Sequence, residues 1–352
     1  MNRYLVATFG LLASAVFVAA CSKPSSNNIY QQQLFAFGTL VELTFYGVSE
    51  EQGRAAAQQV DAMYQQQHRD WHAWQQGYLT DLNRAIAAGN ATRTDQSIVE
   101  LIQLGQKLER SSQGLFNPAI GKLLNLWGFQ QDDSAQGPPP SDQSIQAWLG
   151  TSPSTLQLHL DDVMVSSSNP AVSLDFGGFA KGFSVGKAVQ LLEQKGIKNL
   201  IVNAGGDLCV RGKHGKRPWR IGIRHPSKAG GVLASIELQG SSCVFTSGAY
   251  ERFYEYNGQR YHHILDPRTG YPAQHSVSVT VLAQDPTLAD AAATALFVAG
   301  PERWRTIAAS MGVQDVLLVD DSDTAYITPA LAEHIHFDDP PSRIETLTAG
   351  NS

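Results

Sequence analysis

Two apolar segments of this chain each run directly into a pair of glycines, and these junctions constrain the possible folds more than any other feature. In the first junction, Ser173-Leu174-Asp175-Phe176 leads into Gly177-Gly178 and then into a predicted helix over residues 180–195. Glycine lets a ligand approach the backbone closely, and the first N–H groups of a helix attract anions such as phosphate. Lys181 adds a cation, although the spacing matches neither the P-loop nor the dinucleotide fingerprint. A strand–helix turn packed through small residues explains this junction equally well.

The second junction is Val202-Asn203-Ala204-Gly205-Gly206-Asp207, an apolar strand that small residues interrupt and an acid closes. It is consistent with a glycine-lined ligand pocket. It is equally consistent with a Gly-Gly hairpin or bulge in which Asp207 is a turn former.

A third block combines two histidines with acidic and hydroxyl residues. It runs from His262-His263 to Asp266-Pro267-Arg268-Thr269-Gly270, and Asp290 and Thr294 follow on a predicted helix. Residues four apart on a helix share a face, so these two oxygens could bind a hard cation. One carboxylate and one hydroxyl, completed by water and a substrate phosphate, suit Mg²⁺ better than Zn²⁺. A helix cap or a solvent-facing pair is the plain alternative.

Strands and helices follow one another without a regular βαβ repeat, which predicts an α+β fold of mixed sheets with flanking helices. The segment 130–142, with three consecutive prolines, is expected to be an exposed loop inside a domain over residues 35–335. A polar C-terminal tail over residues 336–352 follows, and we expect its last dozen or so residues to lack regular structure. The predicted strands cover residues 40–46, 155–160, 164–167, 171–175, 200–203, 220–224, 232–238, 243–247, 276–283 and 315–319, and the predicted helices 49–67, 97–111, 180–195, 288–299 and 302–311.

The N-terminus has the pattern of an exported protein. Arg3 precedes the uncharged run Tyr4–Ala20, which ends in small residues directly before Cys21, so residues 1–20 are a predicted signal peptide. Val18-Ala19-Ala20-Cys21 resembles a bacterial lipobox, which implies a lipoprotein acylated on Cys21 and anchored by its acyl chains. A polar tether over residues 21–34 is expected to follow. The alternative is a plain cleaved signal with an incidental cysteine.

The net charge and the cysteines indicate which class of partner to expect and how the cellular compartment affects the cysteines. The net charge of −6 gives no positive field to attract a phosphate backbone, so we expect no nucleic-acid partner. The expected location is the bacterial periplasm, lipid-anchored to the inner or the outer membrane. In that oxidising compartment Cys209 and Cys243 could form a disulfide, or they could be two buried thiols.

Taken in order, five blocks of this sequence resemble the ApbE family of flavin transferases. The blocks are Leu174–Gly182, Asn203–Asp207, Thr246-Ser247-Gly248, His262–Gly270 and Asp290–Thr294, with weaker matches at Phe37-Gly38-Thr39, Leu82-Asn83, Gly114–Pro118 and Leu126–Phe129. Together they cover roughly residues 35 to 320. The resemblance implies an enzyme that uses Mg²⁺ and FAD. It would attach FMN to a Thr, sometimes Ser, hydroxyl of an acceptor flavoprotein of a membrane electron-transfer complex, and release AMP.

The resemblance also implies a role for each matching residue. It assigns Mg²⁺ to Asp290, Thr294 and the backbone carbonyl of Ala180, and it places His263, rather than His262, where it could accept the hydroxyl proton. Asp266 and Arg268 are expected mainly to shape their loop, with Arg268 within reach of a phosphate. The residues implied to bind FAD are Phe37, Trp74 (stacked on the flavin), Asp175, Gly178, Lys181, Asn203, Gly205, Gly206, Asp207, Ser247 and Arg268.

Three positions depart from the pattern of that family. Phe37 stands where Met is common, which exchanges one apolar side chain for another. Asn117 and Ala249 stand where acids are common, and the lost charges could alter acceptor recognition or loop structure. The proposed metal ligands are intact.

Two further functions use the same residues. An FAD pyrophosphatase would replace the acceptor hydroxyl by water and give FMN and AMP. A non-enzymatic lipoprotein would bind FAD without cleaving it.

Overall fold

The computed structural model describes residues 29–131 and 137–347, and the predicted signal peptide and Cys21 lie outside this part. Its strands are β1 (Ile29–Ala36), β2 (Thr39–Tyr46), β3 (Thr92–Arg93), β4 (Leu158–Asp161), β5 (Met164–Ser167), β6 (Leu200–Ala204), β7 (Asp207–Gly212), β8 (Trp219–Arg224), β9 (Val232–Leu238), β10 (Gly240–Gly248), β11 (Phe253–Tyr256), β12 (Gln259–His262), β13 (Ser276–Ala283), β14 (Asp315–Asp320), β15 (Thr324–Ile327), β16 (Ile335–Phe337) and β17 (Arg343–Thr346). Its helices are α1 (Glu50–Trp71), α2 (Tyr78–Ala87), α3 (Gln96–Ser111), α4 (Gly121–Leu126), α5 (Asp142–Leu149), α6 (Ala180–Gln194), α7 (Pro286–Met311) and α8 (Pro329–Ala332).

A nine-stranded sheet forms the centre of the fold, in the order β1-β2-β6-β7-β10-β13-β14-β15-β17. Neighbouring strands in it are antiparallel except β15 and β17, which are parallel. Smaller sheets are formed by β16-β9-β8, by β3-β5-β4 and by the hairpin β11-β12. Mixed sheets with flanking helices confirm the predicted α+β class.

The two faces of the central sheet pack against different partners. In β2, Val41, Leu43 and Phe45 are fully buried and belong to the core that the sheet forms with the long helices. The opposite face packs on the β16-β9-β8 sheet around residues such as Leu208 and Ile221. Successive side chains of a strand point to opposite faces of the sheet, so one set of residues faces the helices and the other set faces the smaller sheet or solvent.

Close packing of α6 against α7 positions the ends of both helices. A Cβ placed on Gly182 would lie 2.2 Å from the carbonyl oxygen of Pro286, and one on Gly186 would lie 2.9 Å from the Pro286 ring. The two glycines are four residues apart and therefore form one smooth stripe on α6. Within α7, Gly300 has a non-helical φ of 68° and precedes Pro301, so the run consists of two helical segments, as predicted from the Gly-Pro pair.

Several predicted elements are wrong. Residues 171–175 do not form a strand but make an isolated bridge from Ser173 to Ile120, because the Asn83 side chain occupies both backbone groups of Leu174. Residues 155–157 form a 3₁₀ turn, capped by the hydroxyl of Ser154.

Both predicted boundaries of the domain are also corrected. The expected tether over residues 21–34 is strand from Ile29 onwards, where three exposed glutamines on an edge strand give the composition of a linker. The expected C-terminal tail contains most of β16 and all of β17. Residues 348–352 lie outside the described part.

Cys209 and Cys243 form a disulfide that joins β7 to β10, where they are directly opposite one another in the register. Both side chains are fully buried. The structure therefore decides between the two alternatives left open by the sequence.

No helix within residues 29–131 and 137–347 is both long and apolar enough to span a bilayer.

Candidate functional site

The candidate site lies where the turn between β6 and β7 meets the first residues of α6. Nζ of Lys181 pairs with Oδ2 of Asp207, and Oδ1 accepts a 2.7 Å hydrogen bond from the backbone N–H of Thr246. Gly205 and Gly206 form the turn with φ of 69° and 108°, a conformation that favours glycine. The second Gly-Gly junction is thus a hairpin, and it places an acid beside Lys181.

A second carboxylate reaches the same end of α6 from α7. Oδ2 of Asp290 accepts a 2.7 Å hydrogen bond from the backbone N–H of Gly182, and the Asp290 side chain is buried. The carbonyl oxygen of Ala180 accepts a 2.7 Å hydrogen bond from the hydroxyl of Ser184. The structure therefore brings the Ala180 peptide and the Asp290 carboxylate to the first turn of one helix.

Two hydroxyl groups lie between β10 and α7. Oγ of Ser247 is 3.2 Å from Oγ1 of Thr294, which follows Asp290 by one helical turn. The two predicted side-chain ligands of the metal thus share one face of α7. Ser247, predicted to bind FAD, contacts one of them.

The charges at this site are unbalanced. Burial would lower the pKa of Lys181, but Asp207, Asp290 and Glu251 together raise it above its ordinary value, so the ammonium group is protonated. Burial, together with Asp207 and Glu251, raises the pKa of Asp290 to about 8, although Lys181 acts in the opposite direction. Desolvation raises the pKa of Glu251 to about 7, although Lys181 acts against this shift too. Lys181 interacts with all three carboxyl groups, and Arg224 also acts on Glu251, so a bound cation near Asp290 would stabilise the ionised form of the site.

The two histidines of the third block have different surroundings. Nδ1 of His263 is 3.1 Å from the carbonyl oxygen of Arg252, which can only accept, so Nδ1 carries the proton and Nε2 keeps a lone pair. Desolvation and the Arg252 charge lower the pKa of His263 to about 3, so the ring is neutral at pH 7. In His262, Nε2 is 2.9 Å from the carbonyl oxygen of Ala273, and Nδ1 accepts from the N–H of Ile264 at 3.3 Å. Since backbone groups occupy both nitrogens of His262, the geometry favours His263 as the base.

The first Gly-Gly junction is a turn held by side chains. Oδ1 of Asp175 accepts a 2.8 Å hydrogen bond from the N–H of Gly177, and Oδ2 accepts one of 2.7 Å from Gln130. A Cβ on Gly178 would lie 3.0 Å from the ring of Phe116, so this position favours a residue without a side chain. Asp175 and Gly178 thus fix the approach to α6, and the structure gives them a structural role in addition to the predicted contact with FAD.

Two predicted FAD-binding residues have their side chains engaged elsewhere. Asn203 faces the side of the central sheet opposite α6, where it lines a shallow pocket with Glu42 and Arg220. Its Oδ1 accepts a 2.8 Å hydrogen bond from the N–H of Gly206 and so stabilises the turn before Asp207. The guanidinium of Arg268 pairs with the Asp266 carboxylate at 2.7 Å, which agrees with the expected loop-shaping role.

Phe37 and Trp74 lie at the two ends of a row of rings. Phe37 is in the turn between β1 and β2 and contacts the ring of His68, whereas Trp74 follows α1 and contacts His72. The ring of His68 also contacts that of His72. Phe37 and Trp74 were predicted as FAD-binding residues, whereas the two histidines between them were not.

A comparison with protein-family models gives a match over residues 37–318 to the model described as the ApbE family. This range is more than half of the chain and contains every candidate site residue except Cys21. The chain belongs to the ApbE family.

Relatives in the ApbE family cover most of the chain. A protein of Rhodobacter capsulatus named FAD:protein FMN transferase is 42% identical over 324 residues, which are 91% of this chain and 60% of that protein. A protein of the same name from Haemophilus influenzae is 31% identical over 256 residues, 71% of this chain and 73% of that protein. The chain thus spans about three fifths of the Rhodobacter relative.

Solved structures of ApbE proteins have the same fold. The ApbE protein of Thermotoga maritima superposes with a TM-score of 0.79 at 30% identity and covers 87% of this chain and 99% of its own. The flavinyl transferase ApbE of Pseudomonas stutzeri, in its apo form, gives a TM-score of 0.76 at 27% identity, with 88% and 97% covered.

Two further residues contribute to the candidate site and were not predicted from the sequence. Asn83, quoted only as part of a weak match, binds both backbone groups of Leu174 through hydrogen bonds of 2.9 and 2.7 Å and so holds the extended segment before Asp175. Glu251 belongs to the charged cluster, defined here as Lys181, Asp207, Glu251 and Asp290, although Ala249 stands where an acid was expected. Because Glu251 follows Ala249 by two residues, this nearby acid was the available signal.

Proposed function

We infer that this chain is a transferase that moves FMN from FAD to a hydroxyl of an acceptor protein, the activity for which its relatives are named. In this reaction the hydroxyl oxygen bonds to the FMN phosphorus, the bond from that phosphorus to the AMP oxygen breaks, and the hydroxyl proton goes to a base. The proposal rests mainly on one observation: Asp207 and Asp290 both bind groups in the first turn of α6, at Lys181 and Gly182.

The groups at this site are suited to binding a pyrophosphate and to accepting a proton from the acceptor. The ammonium of Lys181 is held by Asp207 and supplies positive charge, and the positive end of the α6 dipole adds to it. His263 has a lone pair on Nε2 at neutral pH and can accept the acceptor proton. A bound phosphate would raise the low pKa of this ring, which makes proton uptake easier once FAD is present.

We also propose that Mg²⁺ binds at Asp290, Thr294 and the carbonyl of Ala180. These donors fit a hard cation, because they are a buried carboxylate, a hydroxyl and a carbonyl, and because Lys181 pairs with Asp207 rather than with Asp290. The described residues contain no group of three or more His, Cys, Asp or Glu arranged as a metal site, so oxygen atoms of substrate or water would complete the set. When bound, the ion would neutralise charge on the phosphates.

The test is to incubate the lipid-free protein from Ser22 onwards with FAD, Mg²⁺ and a candidate acceptor domain. AMP release and the intact mass of the acceptor are followed, with EDTA as the control. An EDTA-sensitive FMN adduct would support the transferase. Release of AMP and free FMN without an adduct would identify a pyrophosphatase, and bound FAD without AMP would favour a carrier.

For the location, we propose a periplasmic lipoprotein anchored through Cys21, whose acceptor belongs to a membrane electron-transfer complex. The support is the lipobox-like tetrad directly after an apolar run. Expression of the full chain and of Cys21→Ala in a bacterial host, followed by membrane fractionation and N-terminal mass analysis, tests the anchor. Equal recovery of both in the soluble fraction, without acyl mass, would exclude it.

A further inference from the structure

We propose that His68 and His72 are positioning residues that hold Phe37 and Trp74 as one aromatic wall for the isoalloxazine ring of FAD. The inference rests on the proposed function and adds two residues to that site. The aromatic row is defined here as Phe37, His68, His72 and Trp74. Successive ring centroids along it are 6.1, 5.1 and 4.4 Å apart, with interplanar angles of 75, 80 and 77°. Edge-to-face geometry of this kind is favourable for aromatic rings.

Both ends of the aromatic row carry a feature that folding alone does not favour. Phe37 has a φ of 53°, which is an outlier for a bulky side chain, and such strain persists mainly at functional sites. Trp74 is 37% exposed although it is the largest apolar side chain. A planar ligand lying against the row would cover this exposed surface.

A third observation concerns Tyr64, whose side chain packs against Phe37. The ring of Tyr64 is 5.4 Å from that of Phe37 and only 1% exposed. Its hydroxyl has no hydrogen-bond partner among the described residues. A buried polar atom of this kind beside the row is consistent with a site that a polar ligand completes.

The aromatic row lies next to the charged cluster. The turn that carries Phe37 continues into Thr39, whose Oγ1 would be 2.4 Å from a Cβ on Gly205. Gly205 also donates a 3.0 Å hydrogen bond from its N–H to the carbonyl oxygen of Leu40. Gly205 belongs to the turn that positions Asp207, so one edge of the row adjoins the place proposed for the pyrophosphate.

The other edge of the row is fixed to the start of α6. Trp71, the last residue of α1, directly precedes His72, and the centroid of its ring is 5.6 Å from that of Phe183. Phe183 follows Lys181 by two residues in the first turns of α6. A ligand with an aromatic ring on one side of a pyrophosphate could therefore contact the row and Lys181 at the same time.

His68 and His72 pack between Phe37 and Trp74 and so link the two ends of the aromatic row. His68 lies in the last turn of α1 and His72, four positions later, is the C-cap residue, where the two rings are in contact. Nδ1 of His72 accepts hydrogen bonds from the N–H groups of Trp74 (3.4 Å) and Gln75 (3.0 Å), which fixes the loop that carries the indole. His68 fills the space between His72 and Phe37. Removal of either ring would let Phe37 and Trp74 move independently.

The experiment measures binding by calorimetry without acceptor or Mg²⁺, using FAD, FMN and AMP as separate probes. His68→Ala should weaken binding of FAD and FMN about three- to tenfold, the size of one or two aromatic contacts, and leave AMP binding unchanged. His68→Phe, which keeps a ring, should restore most of the affinity. Gln66→Ala, on the exposed side of the same helical turn, is the matched control.

A second pair of variants separates the two roles of His72. His72→Asn keeps a hydrogen-bond acceptor for the loop but removes the ring, whereas His72→Phe keeps the ring and removes the acceptor. We expect each variant to weaken FMN binding, because each removes one of the two roles of His72. We also expect each to change the visible absorption band of bound flavin relative to wild type. Circular dichroism and thermal melts verify that each variant is folded.

The outcomes distinguish this inference from the proposed function. If wild type binds FAD and releases AMP, but all His68 and His72 variants bind FAD and FMN as wild type does, the positioning role is wrong. If AMP binding alone is lost, the row holds adenine and the isoalloxazine assignment is wrong. If wild type binds none of the three probes even when Mg²⁺ is added, the proposed function itself fails.

Discussion

The carboxylate of Asp290 and the backbone N–H of Gly182 are joined by a 2.7 Å hydrogen bond between two different helices. The contact requires α6 and α7 to be very close, because a Cβ on Gly182 would lie 2.2 Å from the Pro286 carbonyl oxygen. Gly182 is therefore needed for the position of the Asp290 carboxylate, which lies 108 residues further along the chain.

Gly182→Ala tests this relationship. The added methyl must push α7 away, which we expect to destabilise the fold by about 1–3 kcal/mol and to lower AMP release. Gly150→Ala is a suitable control, because its Cβ would meet its nearest neighbour at an ordinary 3.5 Å. Urea unfolding of both variants provides the measurement. Equal stability of the two variants would contradict the close-packing argument.

Asp290→Asn separates stability from function. The amide oxygen can still accept from Gly182, and the variant removes a buried carboxyl group whose pKa is raised to about 8 because burial disfavours its charged form. We therefore expect a melting temperature at pH 8 equal to or above that of wild type. Metal-dependent AMP release should fall by about 10²- to 10³-fold, because the only strong anionic ligand is gone. Activity like that of wild type, which is best measured by AMP release with and without EDTA, would show that the metal does not bind at Asp290.

The sequence patterns predicted the parts of the fold whose signals are local. The glycine pairs marked both turns of the site, although only the second pair ends a strand, and Gly300-Pro301 marked the break in α7, where the backbone at Gly300 is non-helical. Strands with alternating apolar residues, such as β2, were found for the same reason. The edge strand β1 was missed because Gln31–Gln33 face solvent and carry no alternation.

The missed parts of the candidate site depend on tertiary contacts. Asn83 acts on Leu174 across 91 residues, and no spacing in the sequence shows that pairing. Glu251, in the loop after β10, interacts electrostatically with Lys181 at the start of α6, and this proximity arises only in the folded chain. His68 and His72 are four residues apart, but both follow the predicted helix over residues 49–67, and nothing in the sequence indicates which rings they meet.

His263→Ala and His262→Ala should fail in different ways. His263→Ala is expected to lose about 10²–10⁴-fold in rate with FAD binding retained, which is the usual contribution of a general base. His262→Ala should mainly lower stability, by about 1–3 kcal/mol, because it leaves the buried carbonyl of Ala273 without its partner. Single-turnover AMP release and thermal melts distinguish the two effects. If His262→Ala loses more rate, the base has been assigned to the wrong residue.

The depressed pKa of His263 predicts an unusual pH dependence. Its folded-state pKa of about 3 lies below the ordinary value of 6.5, so the folded protein resists protonation of this ring more than the unfolded chain does. Its contribution to stability is therefore present above pH 6.5 and is lost as the pH falls from there towards 3. We expect His263→Gln to reduce the slope of melting temperature against pH in that window. An unchanged slope would mean that His263 titrates normally.

The disulfide should matter for the site as well as for stability. Cys209 follows Asp207 by two residues, and Cys243 precedes Thr246 by three, so the bond joins the two strands that align Asp207 with the Thr246 N–H. The double variant Cys209→Ala/Cys243→Ala should lose about 2–4 kcal/mol of unfolding free energy.

Because the Asp207 carboxylate holds Lys181, the same variant should raise the KM for FAD more than it lowers kcat. The protein from Ser22 onwards contains only these two cysteines, so wild type unfolded and refolded with a thiol reductant provides an independent check. A loss of stability with an unchanged KM would show that the bond stabilises the sheet without affecting the position of Asp207. Protein that has the same stability with and without reductant would show that the bond is absent in solution.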